Sequence, residues 1–137
     1  MSPSFSDERQ GNGRRLVRFI RRGAVGALVL IVALLSGTTW LIESGVHAAT
    51  EAALLDRPGD PVPALMAYIE SPTHTLRERN RAIWALGQLG DARALPVLEK
   101  HVTGGQCDHS RALCQHELRK AIQLCRGGTN VTAILWR

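Results

Sequence analysis

From Gly23 to Ile42 the chain reads GAVGALVLIVALLSGTTWLI, apolar on every helical face and without one charge. Twenty residues of helix rise about 30 Å, the thickness of a bilayer's hydrocarbon core. A core helix in a soluble protein this small keeps a polar face toward water, and this run has none. Trp40 stands near its far end, where an aromatic ring suits the headgroup level. The run predicts a transmembrane helix.

Beyond it the pattern turns amphipathic. Val62, Leu65, Met66 and Ile69 fall at i, i+3, i+4, i+7, behind Asp60 as a cap and Pro61 in the first turn. Thr75-x-x-Glu78 reads as a capping box opening a helix whose Ala82, Ile83, Leu86 and Leu89 share one face, with Gly90 as its stop. Asp91 caps the next helix, with Leu95, Leu98 and Val102 facing inward and Pro96 tolerated near its first turn. After Gly104 and Gly105, a last helix is expected from about Ser110 to Arg126, striped by Cys114, Leu118, Ala121, Ile122 and Cys125. No window reads convincingly as a strand. The expected class is all-α: a transmembrane helix, then a short stack of helical hairpins.

The hairpins repeat. A shift of 33 lays Val62-Pro63-Ala64-Leu65 on Leu95-Pro96-Val97-Leu98, and a shift of 39 lays Arg81-Ala82-Ile83 on Lys120-Ala121-Ile122. The second inter-helix loop is therefore six residues longer than the first. Arg79 to Val102, RNRAIWALGQLGDARALPVLEKHV, resembles a HEAT repeat of the short bacterial type also found in phycobilin lyases. An Arg-led helix ends in Ala85-Leu86-Gly87-x-Leu89-Gly90-Asp91, and the next opens on Leu95-Pro96-Val97. The resemblance covers roughly residues 59–126 and fades in the last helix. Glu78 stands where the pattern usually has an apolar residue, which predicts looser packing between repeats. The resemblance implies an α-α superhelix and an interaction surface rather than a shared reaction. Two units leave apolar end faces, which calls for a cover: the segment 46–55, a second copy, a partner, or the C-terminus. Ile134, Leu135 and Trp136 are the expected cap.

Charge fixes the expected orientation. Residues 1–22 hold six Arg against Asp7 and Glu8, a net +4, whereas the part from Glu43 onward nets only +1. The basic excess thus belongs to the N-terminal head, which the positive-inside rule places in the cytoplasm. It gives no ground for a nucleic-acid partner. The expected layout is a basic, disordered cytoplasmic tail (1–22), a transmembrane helix (23–42), a stalk (43–58) and an exported HEAT-like domain (59–137). The competing reading is a cleaved signal peptide, with Val46-His47-Ala48 as the cleavage motif. The apolar run is longer than a usual h-region, which favours the anchor.

Three cysteines remain, in a compartment expected to oxidise thiols. Cys114 and Cys125 lie about 16 Å apart along one helix, beyond disulfide reach. Cys107 and Cys114 form the feasible bridge, worth about 2–3 kcal/mol if unstrained. It would staple the extra six residues of the second repeat. Unlinked thiols are the next alternative. A zinc site of Cys107, His109, Cys114 and His116 is the least favoured, because its spacing fits no usual finger and two helical positions, 114 and 116, point apart. Asn130-Val131-Thr132 is a glycosylation sequon, relevant only in a eukaryotic secretory pathway.

Neither a catalytic triad pattern, a phosphate loop nor a C-x-x-C pair stands in the sequence. The expectation is a non-enzymatic, cofactor-free adaptor binding a membrane or envelope protein, with homo-oligomerisation as a further option. Trp84, Leu86, Leu98 and Trp136 are its expected packing or interaction residues. On this reading a charge at Leu86 or Leu98 releases the partner while the fold survives. The alternatives are a redox- or metal-responsive envelope module using Cys107, Cys114 and His109, and an enzyme accessory subunit implied by the resemblance alone.

Overall fold

No proline lies between Pro3 and Pro58, so no helical N–H is missing over that stretch. One helix, α1, accordingly runs from Phe5 to Asp56 in the computed structural model. The structure describes residues 5–105, 107–108 and 111–128, with side chains from Arg21 onward. After α1 come α2 (Pro61–Glu70), α3 (Leu76–Leu89), a 3₁₀ turn (Ala92–Ala94), α4 (Leu95–Lys100) and α5 (Gln115–Cys125). The described residues contain no strand, so the chain is all-α. The boundaries expected at 22/23 and 42/43 leave no break in α1. The chain divides into two units, residues 1–38 and 39–137.

In the first unit the apolar side chains of α1 lie open: Val25, Leu28, Val29 and Leu34 are all more than half exposed. Arg21–Asp56 is long and apolar enough to cross a membrane, and a signal sequence meets the same test.

The second unit holds two hairpins, α2–α3 and α4–α5. Their starts and stops follow the expected chemistry. Asp60 accepts from the Val62 N–H at 2.9 Å, with Pro61 in the first turn. Thr75 and Glu78 complete a reciprocal capping box. This explains Glu78 at a usually apolar position: its carboxylate accepts from the Thr75 N–H at 2.8 Å. Gly90 ends α3 at φ +63°, a left-handed conformation that favours glycine. Arg79, the leading arginine, donates Nε–H to the Ile69 carbonyl at 2.5 Å. It thereby satisfies one of the last carbonyls of α2.

The two repeat shifts reappear as contacts. Asp60 meets Arg93, 33 residues on, at 2.5 Å, and the Cys125 thiol donates to the Leu86 carbonyl, 39 residues back, at 3.5 Å. First helices thus lie beside first helices, where Lys100 also pairs with Glu70 at 2.6 Å, and second beside second. The core between them is built on Leu65, Ile69, Ile83, Leu86, Leu98 and Leu118, all fully buried. Helices α3 and α5 approach closely at Gly87, where an added Cβ would sit 2.9 Å from the Ala121 Cα.

The last turns of α1 belong to this core. Val46, Ala49 and Ala53 are buried, and the Trp84 ring lies against Gly45. At the helix end the His74 Nε2 meets Asp56 Oδ2 at 2.6 Å, while its ring stacks on Tyr68 at 3.6 Å. The segment expected as a stalk therefore covers part of the stack. The expected cap, Ile134, Leu135 and Trp136, lies outside the described residues.

Two expectations need correction. Val102 is 38% exposed rather than inward, because α4 stops at Lys100. Helix α5 begins at Gln115, not near Ser110, and Cys114 is its N-cap with an extended backbone (φ −67°, ψ 113°). The Cys114 N–H is held by Asn80 Oδ1 at 2.8 Å, outside the helical ladder.

His101, at the end of α4, has a buried Nε2 without a hydrogen-bond partner among the described residues. Burial first, then the nearby charges of Arg79 and Lys100, hold its pKa below the ordinary 6.5. The folded state therefore binds the proton less readily than the unfolded chain, and stability falls as pH drops below about 6.5 toward the depressed folded value. His101→Gln is expected to flatten the dependence of melting temperature on pH between about 7 and 5. An unchanged slope in the variant would show that other groups set it.

Candidate functional site

The loop leading into α5 folds back over that helix's first turn. Gln115, only 3% exposed, closes its neck: the side-chain oxygen accepts from the Thr103 N–H at 2.8 Å, and the amide donates to the His101 and Leu113 carbonyls at 3.1 and 3.3 Å. Within this loop the sulfurs of Cys107 and Cys114 stand 2.9 Å apart. That is well beyond the ~2.05 Å of a covalent S–S bond, and all three cysteines are free thiols. The structure brings the predicted pair together without the bond.

The two thiols differ. Cys107 is exposed and Cys114 is buried. The Cys107 sulfur shares a hydrogen bond with Cys114 and, at 3.1 Å, accepts from the His116 N–H in the first turn of α5. The Cys114 hydrogen bond, followed by that of His116, holds the Cys107 thiol below its ordinary pKa. Burial, then the neighbouring Cys107, pushes Cys114 up. Asp108 beside the pair meets Arg111 at 3.7 Å. Cys125 is separate: buried between α3 and α5, its thiol is pushed up to about 11, mainly by burial.

Among the described residues no three His, Cys, Asp or Glu side chains group as a metal site. Of the four zinc candidates, Cys107 and Cys114 adjoin, His116 contributes its backbone N–H, and His109 lies outside the described residues. Positions 114 and 116 do not share one helix as expected, since Cys114 precedes α5 as its N-cap.

The expected interaction residues separate as well. Leu86 and Leu98 are 0% exposed and serve the core. Trp84 is half-buried against it, and Trp136 lies outside the described residues. Instead, an open groove runs between α4 and α5, lined by Glu99, Val102, Arg119, Ile122, Gln123 and Arg126. Arg126 bridges it to Glu99 at 2.6 Å. Sequence reasoning missed this groove because it assigned Val102 and Ile122 to the inner face.

Residues 78–103, covering most of α3, the 3₁₀ turn and α4, match the family model of the PBS lyase HEAT-like repeat. The match supports a HEAT-like repeat in this segment. No curated protein and no solved structure matches the chain. The HEAT-like repeat supplies one wall of the core, with Arg79, Leu86, Gly87 and Leu98 in the structural roles described above.

Proposed function

We propose that the chain is a single-pass membrane adaptor that offers its HEAT-like unit to a protein partner outside the cytoplasmic membrane. The observation that carries the anchored reading is the burial of Val46, Ala49 and Ala53. Cleavage after Ala48 would cut α1 inside its packed segment, remove Val46 and Gly45, and uncover the Trp84 ring. A retained helix keeps that packing and leaves the uncharged run as a membrane span. The arginines of the head orient its N-terminus toward the cytoplasm.

HEAT-like stacks act through their surfaces, and the α4–α5 groove pairs apolar Val102 and Ile122 with charges of both signs. It suits a protein segment presenting an apolar side chain flanked by charge. In intact membranes, crosslinking at this groove is expected to capture a defined partner. The exposed substitution Val102→Glu should reduce capture tenfold or more, about 1.4 kcal/mol in binding, with the melting curve unchanged. Equal capture by Val102→Glu and Arg119→Glu chains would overturn the groove assignment. A mature N-terminus at Ala49 in the membrane fraction would overturn the anchor.

A further inference from the structure

We infer that Cys107 and Cys114 form a thiol–disulfide exchange centre in which exposed Cys107 attacks and buried Cys114 resolves. This goes beyond the adaptor reading and does not depend on it. Three observations place the roles. The sulfurs are 2.9 Å apart, so a bond made at one is within reach of the other. Only Cys107 is open to a bulky reagent, while Cys114 is 3% exposed. The Cys107 sulfur also accepts the His116 N–H at 3.1 Å, in the first turn of α5, where amides without intrahelical acceptors favour a thiolate.

The substrate class is a disulfide, R–S–S–R. The Cys107 thiolate attacks one of its sulfurs, forming Cys107–S–S–R and expelling RS⁻. The Cys114 thiol then gives up its proton and attacks the Cys107 sulfur, forming the Cys107–Cys114 bond and expelling the second RS⁻. The two protons from the protein thiols end on the two leaving groups. Two electrons pass from the protein to the substrate, which leaves as two R–SH; the reverse sequence delivers a disulfide to a dithiol. A close pair such as C-x-x-C is the usual spacing for such a centre. The longer C-x₆-C spacing serves because Gln115 ties the loop neck, and Asn80 fixes Cys114 at the helix start.

The test uses the reduced full chain in detergent micelles with oxidised glutathione as the disulfide. Trypsin separates the thiols, since Arg111 lies between Cys107 and Cys114 and Arg119 and Lys120 lie between Cys114 and Cys125. The parent chain is expected to lose two hydrogens, linking the peptides 101–111 and 112–119. Cys114→Ser should accumulate a stable glutathione adduct on Cys107, and Cys107→Ser should leave Cys114 unmodified. Brief labelling of the native parent with limiting iodoacetamide should modify Cys107 on the order of tenfold faster than Cys114. This last arm requires no substituted chain to fold. Absence of the 107–114 link, an adduct on Cys114 at a comparable rate, or equal iodoacetamide labelling would each overturn the assignment.

Discussion

Leu86→Asp and Leu98→Asp are each expected to unfold the helical unit. Both side chains are 0% exposed, and Leu86 lies where α3 meets α5. Deleting a buried leucine costs about 2–5 kcal/mol, and an unpaired charge put in its place adds several more. The stability of a small domain is about 5–15 kcal/mol, so little or none would remain. Leu86→Ala isolates the packing loss, about 2–5 kcal/mol. Circular dichroism melts of the full chains in micelles provide the measurement. A cooperative Leu86→Asp transition within a few degrees of the parent would refute the burial argument. Partner release by a charge at Leu86 is thus uninterpretable as a binding effect, unlike release by Val102→Glu.

Gly87→Val should be the other severe change. Even Gly87→Ala sets two effects against each other. Alanine favours a helix interior over glycine by about 1 kcal/mol. Its Cβ, however, would lie 2.9 Å from the Ala121 Cα and 3.1 Å from the Ala121 Cβ. The first neighbour is backbone, so relief requires moving α5 as a body, and overpacking of this kind costs about 1–3 kcal/mol. The expected net result is destabilisation for Gly87→Ala and a larger loss for Gly87→Val. Adding Ala121→Gly to Gly87→Ala should restore only part of the loss, because it removes the Cβ contact and leaves the Cα. A stabilised Gly87→Ala chain would mean the helices do not meet this closely.

The helices of the second unit were largely legible because each announces itself locally. Asp60, Thr75-x-x-Glu78 and Gly90 are chemical punctuation, and their periods of three and four place Leu65, Ile69, Ile83 and Leu86 inside before any contact is known. The start of α5 was not legible. Residues 111–114 have no capping hydroxyl or carboxylate that commits the turn, and the deciding bonds come from Asn80 and from Gln115, remote or ambiguous in sequence. A buried glutamine that spends its amide on loop carbonyls looks like any surface residue. The proximity of Cys107 to Cys114 was legible from spacing alone, but their unequal exposure depended on which residue opens the helix. Glu78 shows the same dependence: it broke a family pattern and proved to belong to a different local one.

Gln115 has a consequence beyond closing the loop. A native fold that already holds two sulfurs in register gives them a high effective concentration, while in the unfolded chain they wander apart. Thermodynamic linkage then works in both directions: the folded helices pull the pair toward the disulfide by the same free energy with which the disulfide favours the folded helices. The reduction potential at the mouth of α5 and the melting temperature of the stack thereby become coupled quantities, with this buried amide as one of their common determinants.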